Sequence, residues 1–201
     1  MKKFFLLMCC VVICAGCVKT HNARVGQNLV EVGEVEAYKA LTYVGGTTND
    51  TIRITADENG NAIMAAGRGS LELVPLPLSQ SAREEFRGQL AKMMEWGQIV
   101  KKEQIETKKY VGYVNSSTGI GTAVMLSSSF SSSANGETWM THLEFCEINA
   151  FANTRSASPC TKQVDIYLRP QSVESLAREL DSVPEYVKKA SLSKSKAELL
   201  K

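Results

Sequence analysis

One dipeptide, Asn59-Gly60, constrains the folding of this chain more than any other short stretch. Ile54 and its neighbours before the dipeptide alternate between apolar and polar residues, and a short run of small apolar residues follows it. Asn-Gly between two such segments is typical of a type I′ turn, in which both central residues need a positive φ. A hairpin centred on this turn pairs Ile54 with Ala65, so we expect tightly connected antiparallel strands.

The same turn carries acidic and amide side chains at Asp57, Asn59 and Asn61, a spacing that also occurs at the start of a calcium-binding loop. Such a loop needs glycine at its sixth position and an acid at its twelfth. The chain has Ala62 and Arg68 there. We therefore interpret the segment as a turn, and we assign no metal site and no cofactor to the sequence.

The strongest helical pattern runs from about Ser81 to Glu103. Ser81 and Glu84 have the spacing of a capping box. Apolar residues three and four positions apart then form one stripe, namely Phe86, Leu90, Met93, Gly97 and Val100. A shorter final helix is predicted to begin at Ser172 and to break at Pro184.

The remaining segments with strand-like alternation are joined by short turns, which favours antiparallel pairing. In chain order we predict about three strands, the long helix, about four strands and the short helix. This order indicates an α+β fold, in which one long and one short helix pack on an antiparallel sheet in two layers. We expect one domain at 28–190 and a polar tail at 191–201, and the sequence shows no internal repeat.

The first sixteen residues have the composition of an export signal. Lys2 and Lys3 precede an unbroken apolar run of 12 residues from Phe4 to Ala15, and Gly16 follows. A basic start, a short apolar segment and small residues at its end are typical of a secretory signal peptide. As a helix the run would be about 18 Å long, too short to cross a bilayer core of about 30 Å.

The end of this segment, Cys14-Ala15-Gly16-Cys17, resembles the lipobox of bacterial lipoproteins: an aliphatic residue, two small residues and an invariant cysteine. The resemblance covers residues 1–17 only, and Cys14 stands where the family usually has leucine or valine. It implies cleavage before Cys17, a diacylglycerol on the Cys17 sulfur, and often a further acyl chain such as palmitate on the new amino terminus. An ordinary signal peptide, cut nearby without lipid attachment, is the alternative.

If the resemblance holds, the protein belongs to the bacterial cell envelope and faces the periplasm or the exterior. Two or more acyl chains give a stable anchor, so the membrane is the expected partner through Cys17. In that family, an Asp after the cysteine retains a protein in the inner membrane. Val18 occupies the position here, which favours the outer membrane where two membranes exist. The polar residues that follow complete a predicted flexible tether at 17–27.

The mature chain is neutral by formal count. The full sequence has 23 basic and 21 acidic residues, and loss of Lys2 and Lys3 leaves 21 of each. A neutral chain has no overall field that would attract nucleic acid, so we expect no nucleic-acid partner.

Six cysteines divide into two groups. Cys9, Cys10 and Cys14 leave with the signal, and Cys17 takes the lipid. The remaining pair, Cys146 and Cys160, suggests a disulfide, because exported chains meet an oxidising compartment. A hairpin centred near residue 153 places these two cysteines opposite each other; two unpaired thiols are the alternative.

Three functions fit these observations. We expect an envelope lipoprotein that is a non-enzymatic binding or assembly component with an envelope protein partner. A small apolar ligand could instead bind between helix and sheet at Phe86, Met93, Met94 and Trp96, although core packing explains this cluster equally well. An envelope hydrolase is the third reading; its only candidate, His142 with Glu144 two positions later, lacks a recognisable catalytic motif, and no catalytic residue is assigned.

Overall fold

A computed structural model describes residues 20–40, 46–67, 74–117, 122–149 and 160–198. Nine strands and two helices occur in these ranges, and they are β1 (Thr20–Asn22), β2 (Leu29–Ala40), β3 (Thr47–Asp57), β4 (Ala62–Ala66), β5 (Val74–Leu78), α1 (Gln80–Glu103), β6 (Lys108–Ser117), β7 (Thr122–Ser132), β8 (Trp139–Asn149), β9 (Lys162–Leu168) and α2 (Pro170–Glu198). The strands form one sheet in the order β1-β6-β7-β8-β9-β2-β3-β4-β5. Only β1 and β6 pair in parallel. The α+β fold with helices on an antiparallel sheet is thus confirmed.

Beyond β1, the elements repeat one plan: four consecutive strands and then a helix. We call β2–β5 with α1 the first unit, and β6–β9 with α2 the second unit. Within each unit every strand pairs with the next one along the chain. The sequence showed no repeat, so the repetition is carried by topology and burial more than by residue identity.

The two units also match in register. The first strand of each unit has a β-bulge that ends at a glycine. From that glycine, a row of register partners crosses the four strands: Gly33, Ile54, Met64 and Leu76 in the first unit, and Gly112, Ser128, Leu143 and Ile166 in the second. A bulge increases local twist, so both halves of the sheet bend at equivalent places.

The helices cross between the units. α1 packs mainly on β6 and β7, and α2 packs mainly on β2 and β3, while the two helices also contact each other. Buried helix positions recur 90 residues later, as in Ala82 and Ser172, or Leu90 and Leu180. Both units therefore contribute to a single hydrophobic core, which includes Phe86, Phe130 and Phe145.

The predicted hairpin is present, but its register differs from the prediction by one residue. Ile54 lies opposite Met64 and not Ala65. The loop has three residues, 58–60, closed by backbone hydrogen bonds, and among them only Gly60 has a positive φ, of 89°. Because side chains alternate, this shift decides which residues face inward, and it puts Met64 in the core.

Both predicted helix boundaries need correction. The cap of α1 is Ser79 and not Ser81, since the Ser79 hydroxyl accepts a hydrogen bond from the Ala82 N–H at 3.4 Å. The predicted break at Pro184 is wrong, because α2 continues through it. An interior proline costs about 3 kcal/mol, and fully buried residues on both sides of it, Val183 and Ala190, hold the helix on the core.

The amino-terminal segment lies against the domain wherever the structure describes it. Thr20–Asn22 form β1, and the Ala23 N–H donates to the Ser117 carbonyl at 3.0 Å. The Gly26 N–H then donates to the Asp57 carboxylate at 2.7 Å. Residues 20–27 of the expected tether are therefore fastened to the sheet, since a short parallel strand and buried acceptors satisfy their backbone groups.

Candidate functional site

The predicted lipidation site, Cys17, and the signal segment 1–16 lie outside the described residues. The structure describes the chain from Thr20, which lies opposite Asn115 on β6. Within the described ranges, neither helix has the length and apolarity needed to cross a membrane. The lipid anchor therefore stays a prediction from the sequence.

Cys146 and Cys160 form a disulfide in the structure, with their Cα atoms 5.2 Å apart. The ladder register differs from the one we predicted, because Gln163 and not Cys160 lies opposite Cys146. Cys160 precedes β9, and the next residue fastens the chain to β8 through a 2.7 Å hydrogen bond from the Thr161 N–H to the Glu147 carbonyl. The bridge thus joins β8 to the residue two positions before β9, at the end of the ladder nearest the connection between the two strands.

His142 has a different acidic partner from the one that sequence spacing suggested. Its Nε2 lies 2.7 Å from Asp165 Oδ1 on β9, whereas Glu144 accepts a hydrogen bond from the Ser127 hydroxyl at 3.3 Å. The ring stacks on Tyr167 at a centroid distance of 4.8 Å. His142 is 31% exposed and Asp165 is 39% exposed, so this pair lies on the surface of the sheet.

The His142 pair belongs to a larger aromatic and charged surface on the side of the sheet away from the helices. Tyr167 lies between His142 and Tyr38 in adjacent strands. The Arg169 guanidinium lies 4.3 Å from the Tyr38 ring centre. We call this surface the outer sheet face, and define it by Tyr38, His142, Asp165, Tyr167 and Arg169.

Hydrogen bonds shift two pKa values on the outer sheet face. The hydrogen bond from His142 is the largest cause of the lowered pKa of Asp165. The Tyr38 hydroxyl donates to Glu36 at 2.9 Å, and this bond is the largest cause of the raised pKa of Tyr38. Both shifts move the pKa further from neutral pH, downward for Asp165 and upward for Tyr38.

The apolar cluster considered as a ligand site is part of the core. Phe86 and Met93 are fully buried, and Met93 sulfur accepts a hydrogen bond from the Thr141 hydroxyl at 3.0 Å. Trp96 packs edge-on against Phe130 at a centroid distance of 5.8 Å. The structure therefore accounts for these side chains through contacts with neighbouring protein groups, as expected of a well-packed interior.

An open groove of about 450 Å³ lies between α1 and β6, beside Gln89, Lys92 and Tyr110. The side chain of Gln89, which lines this groove, makes two hydrogen bonds. The Gln89 amide accepts from the Ser128 hydroxyl at 2.6 Å and donates to the Tyr113 carbonyl at 3.2 Å. Gly112 makes room for it, since a Cβ there would lie 2.9 Å from Gln89 Nε2.

A second open groove, of about 570 Å³, lies beside the turn at 57–61 and the segment 24–27. The fully buried Asp57 carboxylate accepts hydrogen bonds from the backbone N–H groups of Gly26, Asn59 and Asn61 and from the Asn61 side chain, at 2.7 to 2.9 Å. The pKa of Glu58 is lowered, chiefly by a hydrogen bond from its own backbone and then by those from Asn28 and Gln27. Both carboxylates thus hold the amino-terminal segment.

Among the described residues, no group of three or more His, Cys, Asp or Glu side chains is placed to hold a metal ion. The outer sheet face was not predicted from the sequence, because its residues come from three separate strands and from Arg169, which follows β9. The alternation of Gln163, Asp165 and Tyr167 was the only local signal for it.

Comparisons of the chain with protein-family models, with curated proteins and with solved structures found no match.

Proposed function

We propose that this protein is a lipid-anchored component of a bacterial envelope that binds another envelope protein and has no catalytic activity of its own. The observation that carries the proposal is the segment Met1–Cys17, with its basic start, short apolar run and lipobox-like end. Cys17 bears the diacylglycerol, with a further acyl chain such as palmitate on its amino group. Val18 favours the outer membrane, where a source has two membranes.

The binding role is supported by the chemistry of the outer sheet face. Tyrosine and arginine are enriched at the centres of protein interfaces, and this face presents Tyr38, Tyr167 and Arg169 together. Strands on a rigid sheet also hold such side chains in fixed positions. The partner is a protein with acidic or polar groups that complement Arg169, and the domain meets it close to the membrane.

The anchor is tested by intact mass and membrane fractionation of the wild-type chain beside Cys17→Ala. We expect the wild type to gain diacylglyceryl mass at Cys17 and to fractionate with membranes, and the variant to stay unprocessed or become soluble. Density separation of the two membranes then tests the outer-membrane assignment. Release of an unlipidated wild-type domain would falsify the anchor.

The partner surface is tested by photo-crosslinking in cells, with a photoreactive residue at Tyr167. The matched control is Glu174, an exposed position on α2 away from the outer sheet face. We expect one crosslinked envelope protein at Tyr167 that is absent at Glu174 and lost on Arg169→Glu. The same products at both positions, or no product at Tyr167, would contradict binding through this face.

A further inference from the structure

The first described strand limits how far the domain can stand from its anchor, if the proposed lipid at Cys17 is correct. Cys17 precedes Thr20 by three residues, so their Cα atoms are at most about 11 Å apart. Thr20 lies opposite Asn115 on β6. Because β1 and β6 run in parallel, the amino-terminal end of β1 points toward the Lys108 end of β6.

The chain that follows β1 is also held against the domain. Ala23 is 2% exposed, and the Arg24 carbonyl accepts hydrogen bonds from the side chains of Asn59 and Asn61 at 3.0 and 2.9 Å. Asn28 is held by Glu58 through its backbone N–H at 2.9 Å. A lipid attached at Cys17 would therefore be held within about 11 Å of Thr20, beside the edge of the sheet that carries β1 and β6.

The surface beside that edge has side chains suited to a bilayer interface. Lys92 and Lys109 each place Nζ 4.9 Å from the centre of the Trp96 ring. Ile99 and Ile105 are 43% and 44% exposed. We call this surface the β6 edge patch, and define it by Lys92, Trp96, Ile99, Ile105 and Lys109.

Charge also distinguishes this surface from the chain as a whole. The segment 92–109 carries five lysines and three glutamates, all exposed, whereas the mature chain is neutral. Lysine is attracted to an anionic leaflet, and its aliphatic stem can lie along apolar groups while the amine reaches the headgroups. Tryptophan concentrates at the same depth.

We infer that the β6 edge patch rests on the anionic bilayer that holds the Cys17 lipid. Trp96 lies at headgroup level, Ile99 and Ile105 contact the acyl boundary, and Lys92 and Lys109 meet lipid phosphates. The short link from Cys17 brings the patch to the surface, and the side chains keep it there. The outer sheet face remains available to a protein partner.

The test uses the full lipidated chain in vesicles of phosphatidylethanolamine and phosphatidylglycerol, with or without brominated acyl chains. The chain has two tryptophans, so Trp139→Phe leaves Trp96 as the only fluorescent reporter. We expect bromine to reduce Trp96 emission by at least one third. A reporter at Leu192→Trp, in a chain with both natural tryptophans replaced by Phe, is the control and should lose less than a tenth.

Charge reversal separates patch contact from simple tethering. Lys92→Glu with Lys109→Glu should at least halve the bromine quenching of Trp96, while Lys188→Glu with Lys189→Glu, an equal change on α2, should leave it unaltered. Intact mass of each sample establishes whether the lipid is present. Lipidated protein with Trp96 quenched no more than the Leu192→Trp reporter overturns this inference and leaves the anchor intact, whereas unlipidated wild type removes both.

Discussion

The two units follow one plan, yet their last strands end differently. β9 continues the sheet to β2 through the register pair Tyr167 and Tyr38. β5 holds the corresponding place in the first unit, but it ends the described strand order and has no register partner in β6. Pro77 is the residue that precedes Leu78 at the end of β5, as Tyr167 precedes Leu168 at the end of β9.

Proline explains why the first unit leaves the sheet open. Pro75 and Pro77 lie opposite Ala65 and Ile63 on β4, so the N–H groups that they lack would point away from β4. The Pro77 carbonyl faces the same way and accepts a hydrogen bond from the Ser116 hydroxyl on β6. β5 therefore offers β6 acceptors without donors, which prevents a ladder and fixes one edge of the sheet.

The two helices also differ at an equivalent position. α1 has Gly97 where α2 has Val187, at the same distance from each helix start. A Cβ at Gly97 would lie 2.3 Å from the Trp139 ring, whereas one at Gly88 would meet nothing within 4 Å. Matching topology thus tolerates different packing, because each helix is fitted to the strands of the other unit.

The largest expected effect concerns the disulfide, which belongs to the second unit alone. Cys146→Ala with Cys160→Ala should lower the free energy of unfolding by about 3 kcal/mol. The bridge joins residues that are 14 positions apart, and closing a loop of about 15 residues in the unfolded chain has an effect of this size. Urea unfolding measures the loss. The wild type under reducing conditions should lose as much, and the variant should not respond to reductant; a change below about 1 kcal/mol would contradict a stabilising role.

Making α1 resemble α2 tests the packing difference. Gly97→Val should lower the free energy of unfolding by about 2 kcal/mol through overpacking against Trp139. The control, Gly88→Val, should leave stability unchanged or raise it by up to about 0.5 kcal/mol, because valine is a better helix former than glycine. Equal effects in urea unfolding would show that Trp139 does not restrict this position.

Ser116 and Ala37 hold matching positions, each four residues after the bulge glycine of its strand. Ser116→Ala should lower the free energy of unfolding by about 1 kcal/mol, because the hydrogen bond to Pro77 is lost. The reciprocal Ala37→Ser should also destabilise, by burying a hydroxyl that has no proline carbonyl opposite. If Ser116→Ala is neutral in urea unfolding, the contact does not help fix the open edge.

The smallest effect concerns Asp165, which stands where the first unit has Pro75. The pKa of Asp165 is lowered below its ordinary 3.8 in the folded protein, chiefly by His142. Its stabilisation is therefore present above pH 3.8 and lost as the pH falls through the lower folded-state pKa. Asp165→Asn should cost about 0.5 kcal/mol or less at pH 7, as for an exposed pair.

Urea unfolding of wild type and Asp165→Asn between about pH 4 and about pH 2 checks that prediction. The difference between the two free energies of unfolding should shrink as the pH falls through this range, because the carboxylate becomes protonated. A difference that grows below about pH 4 would mean that the carboxylate is not stabilised in the folded state.

Local patterns predicted much of the fold. The stripe through Phe86 and Leu90 identified α1, alternation identified the strands, and the turn at Gly60 identified a hairpin. The same patterns misplaced the hairpin register and the cap of α1, because a turn type and its loop length decide these details at a resolution of one residue.

The candidate sites were less predictable. Spacing alone put His142 with Glu144, two residues away on the same strand face, but Asp165 comes closer from the adjacent strand. The repeated topology was also hidden, since equivalent positions hold unlike residues such as Ile54 and Ser128. Only their register and burial show that they correspond.

The sequence by itself determined the apolar stripe of α1, the alternation along the strands, and a tight turn near Gly60 within an α+β fold. These properties depend on neighbours within a few residues. The tertiary structure decided that α2 continues through Pro184, that β9 joins β2 while β5 stays open, and that residues 20–28 lie fastened to the domain. Those outcomes depend on contacts between distant segments, because a periodic pattern reports that a face is buried and not which surface buries it.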